Sequence, residues 1–90
     1  MQIEVYAPTK EELDRLDIKQ WPTWESPVTT FAWEYDEMET CFFLKGRVIV
    51  ESDACDSVEI KAGDMVRFPK GLKCTWKVLE PVKKHYKFGD

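Results

Sequence analysis

The chain has 90 residues, a formal net charge of −4, 43% hydrophobic residues and four tryptophans. That composition suits one small folded domain over residues 1–90 and excludes a disordered tail. The acidic balance offers nucleic acid nothing to bind, and no apolar run approaches the ~20 residues of a membrane helix, so neither partner is expected.

Three cysteines without a C-x-x-C pair read as reduced thiols in a cytoplasmic setting. Residues 1–6 lack the charged and apolar parts of a signal peptide. Residues 3–6 are a candidate opening strand that Pro8 ends. Thr9 and Glu12 have the spacing of a capping box, and Leu13 and Leu16 predict one or two helical turns to Leu16, the only helix expected. Trp21-Pro22-Thr23-Trp24 cannot be a central strand, because proline has no amide hydrogen to donate. Its indoles either cover a sheet face or line a ligand pocket.

Residues 29–35 alternate as a strand, with Phe31, Trp33 and Tyr35 on one face. Residues 40–45 and 47–52 are expected as two arms of a hairpin turning at Lys45-Gly46, with Val48 and Val50 sharing a face. A polar loop at 53–57 leads to a return strand at 58–61. Gly63 and Pro69-Lys70-Gly71 mark turns around a strand at 65–68. A strand at 74–78 follows, with Cys74, Trp76 and Val78 on one face. After Pro81 a last strand at 82–88 places Val82, Lys84, Tyr86 and Phe88 on one face and His85 on the other. About eight short strands with regular turn signals argue for an all-β sandwich or barrel.

Gly63-x5-Pro69-x-Gly71-x2-Cys74 is similar to the second cupin motif, G-x5-P-x-G-x2-H, with cysteine at the histidine position. Glu39-x6-Gly46 is similar to the end of the first motif, H-x-H-x(3,4)-E-x6-G. The two upstream histidine positions fall on Ala32 and Glu34 by one allowed spacing and on Trp33 and Tyr35 by the other. With Glu39-Thr40-Cys41, Cys74-Thr75-Trp76 and Lys84-His85-Tyr86, the chain resembles the small single-domain cupins of the ureidoglycine-aminohydrolase-like (DUF861) group. The resemblance implies a single cupin barrel of the jelly-roll type with one short N-terminal helix. It also implies a small-molecule ligand in the barrel, a small polar nitrogenous or carboxylated metabolite, and a homodimer through edge strands.

In metal-binding cupins histidines and a glutamate converge inside the barrel. Here that pattern retains Glu39, with Cys74 as a thiolate candidate and Glu34 a third ligand only by one spacing. No metal or other cofactor is expected, a divalent transition metal being the alternative. Glu39, Cys74 and Lys84 are the candidate catalytic residues. A buried Glu39 needs a partner, and Lys84, Tyr35 and Arg67 are the candidates. Lys84 stands out because it sits on the apolar face of the last strand; paired with Glu39 it is either a structural ion pair or a proton-transfer site. Cys74 is either a small buried hydrophobe or a nucleophile, and Cys41 shares the Glu39 face. Trp33, Tyr35, Cys41, Phe43, Arg67, Phe68, Trp76 and Tyr86 are expected to line a ligand cavity, the alternative for the rings being core packing. Glu39 and Cys74 are expected to form its floor together. The competing function is a non-catalytic module with a filled barrel that binds a protein through its outer face.

Overall fold

The computed structural model describes residues 1–89. Strand β1 (Glu4–Tyr6) leads into helix α1 (Lys10–Leu16), then a 3-10 turn (Ile18–Gln20) and strands β2 (Thr23–Ser26), β3 (Thr29–Glu34), β4 (Glu39–Ser52), β5 (Cys55–Lys61), β6 (Met65–Phe68) and β7 (Lys73–Phe88). Half of the capping box forms: the Glu12 amide donates to Thr9 Oγ1 at 3.1 Å. The Glu12 carboxylate accepts instead from the Tyr6 hydroxyl at 2.9 Å, which ties the helix to β1.

Two long strands replace four short ones expected from the sequence. β4 runs unbroken through Gly46, and β7 runs unbroken through Pro81. They pair with each other antiparallel along nearly their whole length, from Glu39 opposite Phe88 to Glu51 opposite Thr75. Gly46 is therefore not a hairpin turn. It is a bulge at φ +93°, the register shifts fall between Phe43 and Val48, and Pro81 of β7 lies against it. A bulge adds one residue, so the inward side of β4 changes from odd positions (Glu39, Cys41, Phe43) to even ones (Val48, Val50). On β7 the inward side stays even through Cys74, Trp76, Val78, Val82 and Lys84.

The shared bend lets each long strand serve two sheets. The first half of β4 pairs with β6, which carries β1, and the second half of β7 pairs with β2. The second half of β4 pairs with β5, and the first half of β7 with β3. Inward side chains from both layers, among them Phe43, Val48, Ile60, Phe68 and Trp76, make one core. The all-β fold is a single barrel with one short N-terminal α-helix. Among the described residues, no helix is long and apolar enough to cross a membrane.

Candidate functional site

The pairing of β4 with β7 brings Glu39 and Lys84 together from 45 positions apart. Both are buried, at 4% and 5% exposure. Lys84 Nζ donates to Glu39 Oε1 at 2.9 Å and lies 3.4 Å from the Cys41 sulfur. The Cys41 thiol donates to the same Oε1 at 2.9 Å. Both contacts fall on Oε1, which leaves Oε2 for another donor. The ammonium also sits over two indoles, 4.7 Å from the Trp76 centroid and 5.0 Å from the Trp24 centroid, so ring quadrupoles assist the carboxylate in replacing its lost water.

This pair lies at the base of an open cavity of about 460 Å³. Its walls are aromatic: Trp24, Phe31 and Trp76, then Tyr35, Tyr86, and at the mouth Trp33 and Phe88, 49% and 45% exposed. Ser26 adds one hydroxyl, which donates to the Pro27 carbonyl at 3.0 Å. Phe31 stacks on Trp76 at 5.8 Å, and Trp24 meets it edge-on at 5.7 Å, which fixes the indole above Lys84.

Six of the expected residues are brought together here: Glu39, Lys84, Trp33, Tyr35, Trp76 and Tyr86. Phe43 and Phe68 are fully buried one layer behind. Phe68 is stacked on Tyr35 at 4.7 Å and Phe43 on Trp76 at 6.1 Å, so as rings they are core and not lining. Cys41 touches the pair but not the cavity. Arg67 is misplaced in the sequence reading: between two inward residues, Val66 and Phe68, alternation turns it to the exposed outer face. Cys74 also departs from expectation. It faces inward, and the charges of Glu39 and Lys84 reach its thiol, yet the cavity wall there is Trp76. Cys74 borders a separate polar depression with Cys55, Glu51 and Asp53. Phe31, Phe88, Ser26 and Trp24 complete the lining. The continuation of the Lys84–Tyr86 alternation points to Phe88, and the shared face with Trp33 points to Phe31.

Burial pushes the Cys74 thiol up to about 11. Burial likewise raises Cys41, with the Lys84 charge opposing, and raises Tyr35, with Glu39 adding to it. All three hold their protons at neutral pH, so neither thiol is a ready nucleophile. The Trp76 indole N–H is near enough to favour the ionised forms of Tyr35 and Cys74, yet neither it nor the Tyr35 hydroxyl completes a hydrogen bond of standard geometry.

The two upstream motif positions are settled by the cavity lining. Trp33 and Tyr35 line the cavity, while Ala32 and Glu34 face outward. Rings thus stand where a cupin's paired histidines would, and Glu39 is balanced by an ammonium. Among the described residues no three His, Cys, Asp or Glu side chains converge as a metal ion requires. The donor set of this barrel does not fit the metal of the metal-binding cupins.

Residues 13–86 match the EutQ-like cupin domain family. The chain belongs to the EutQ-like cupin family. Its structure is similar to that of a DUF861 family protein from Thermotoga maritima, with 47% identity over 97% of this chain and 99% of that one and a TM-score of 0.94. It resembles the EutQ protein of Clostridium difficile at 24% identity, covering 74% of this chain and 52% of that one, with a TM-score of 0.68. A putative ethanolamine utilization protein Q from Salmonella typhimurium shares 19% identity over 99% of this chain and 70% of that one, at a TM-score of 0.67. These last two likenesses speak to the fold alone. No curated protein matches.

Proposed function

We propose that this cupin binds a small polar metabolite, nitrogenous or carboxylated, in the barrel interior. The observation that carries the reading is the open aromatic cavity with the Glu39–Lys84 pair at its base. A filled barrel would suit the competing protein-binding module, and a cavity of about 460 Å³ speaks against that. Oε2 of Glu39 is an acceptor for a ligand N–H, and the rings of Trp33, Tyr86 and Phe88 supply apolar contact at the mouth. The resemblance to the ureidoglycine-aminohydrolase-like group supports a nitrogenous ligand. Its metal-dependent chemistry has no ligand set here, so the roles left to the site are binding and proton transfer between Glu39 and Lys84. The free cysteines suit a reducing, cytoplasmic setting.

The test is a thermal-shift screen against small amines, amides and carboxylates, since a ligand bound only to the folded state raises the melting temperature. At least one class is expected to stabilise the wild type. Glu39→Ala and Trp33→Ala are expected to abolish that shift, and Lys73→Ala, on the exposed face, to leave it intact. A screen without any stabilising compound, or a shift indifferent to Glu39 and Trp33, would remove the reading.

A further inference from the structure

Lys84 is the only buried lysine among the described residues, and it ends in a cavity a small molecule can enter. A structural ion pair does not need such access. We infer that Lys84 is a carbonyl-capturing lysine, whose Nζ forms an imine with a small aldehyde or ketone admitted to the barrel. The inference rests on the cavity being a ligand site, as proposed above.

Three features of the site support the step. First, a base is in place: Glu39 Oε1 lies 2.9 Å from Nζ and can take the proton that an attacking amine must lose. Second, the pair is closed off from bulk water, Glu39 at 4% and Lys84 at 5% exposure, so the carboxylate is the acceptor within reach of an Nζ proton. A lysine desolvated among rings is the kind that becomes a nucleophile. Third, the product keeps the reactant's charge. The ammonium gives one proton to Glu39, and the free amine attacks the carbonyl carbon. A second Nζ proton moves to the former carbonyl oxygen, and Glu39 returns its proton to that oxygen, which leaves as water. Carbon–nitrogen replaces carbon–oxygen, one water is released, and Nζ is a protonated imine. The positive charge remains beside Glu39 and over Trp24 and Trp76, whose centroids lie 5.0 and 4.7 Å from Nζ. The contacts that hold the ammonium therefore also hold the iminium. No co-reactant beyond the carbonyl compound is needed.

Benzaldehyde with sodium cyanoborohydride tests this, because hydride addition to the iminium carbon makes the adduct permanent. Peptide mapping of the wild type is expected to find one benzyl group per chain, on Lys84. Glu39→Gln is expected to slow labelling about a hundredfold, the lower range of a general base's contribution. Lys84→Arg, which keeps the charge, is expected to abolish the adduct, and Lys83→Arg, its partly exposed neighbour, to leave it unchanged. Labelling confined to other lysines of the wild type would overturn the inference whether or not the variants fold. Benzyl alcohol then separates the two claims. If this carbonyl-free analogue raises the melting temperature while Lys84 stays unlabelled, the covalent step fails and the cavity remains a binding site. If it raises no shift and Lys84 stays unlabelled, the covalent step fails, and the screen of amines, amides and carboxylates decides whether the cavity is a binding site.

Discussion

Glu39 and Lys84 are each affordable only in the other's presence. Removing one leaves an unpaired charge in a site with 4–5% exposure, and such losses cost about 3–5 kcal/mol. Glu39→Ala and Lys84→Met are each expected to lower stability by that order in urea denaturation, and the double variant by clearly less than the sum. Strict additivity would mean that the two side chains do not act as a pair. This partnership was legible in the sequence, because period 2 places Lys84 on the face of Val82 and Tyr86, where a lone cation is out of place. Cys74 was only half legible. A motif fixes where a backbone position sits in the barrel, and alternation fixes that Cys74 turns inward; neither shows that the indole two residues on occupies the wall in front of it. The outward turn of Arg67 is legible as well, since its neighbours Val66 and Phe68 already claim the inward side.

At the scale of elements, residue type located most strands, but not β2 (Thr23–Ser26), the start of β5 at Cys55, or the continuity of the two long ones. Gly46 and Pro81 are the usual punctuation of a chain, and each reads as an end. In three dimensions they fall opposite each other, where two strands bend together. Proline costs no ladder bond at such a place, and glycine admits both the positive φ and the approach of a neighbour. A Cβ at Gly46 would run into the Pro81 carbonyl oxygen and come within 2.6 Å of Val82 Cγ1. Gly46→Ala is therefore expected to destabilise by about 3 kcal/mol, from the unfavourable φ and the backbone clash together. Gly63→Ala shares the positive φ but meets nothing within 4 Å, so its cost is expected to be the smaller. Equal losses in thermal denaturation would show that the bend tolerates a side chain.

For the molecule as a whole, its buried acids set the pH limit. Tyr35, Cys41 and Cys74 all have protons held more tightly in the folded state than their ordinary values of 10.0, 9.0 and 9.0. The folded chain then binds more protons than the unfolded one above about pH 9, so stability falls as pH rises. Below that pH their contribution is complete. The urea midpoint is expected to hold steady from neutrality to about pH 9 and to fall from there toward 11. Cys74→Ala is expected to soften the fall by on the order of 2 kcal/mol, given a thiol raised to about 11. A midpoint level through about pH 11 would contradict the burial of these groups.

The β4–β7 pairing also imposes an order of assembly. Glu51 and Thr75 are partners 24 positions apart, Glu39 and Phe88 partners 49 apart. Closing the shorter loop costs less chain entropy, by about 0.6 kcal/mol for a doubling of length, and each closed rung shortens the next search. Zippering is thus favoured to start at the Ser52 end and travel toward Glu39, so that a chain emerging from denaturant completes its hydrophobic ladder before Lys84 meets its carboxylate. Substitutions at Val50 and Trp76 should slow folding, and those at Glu39 should chiefly hasten unfolding.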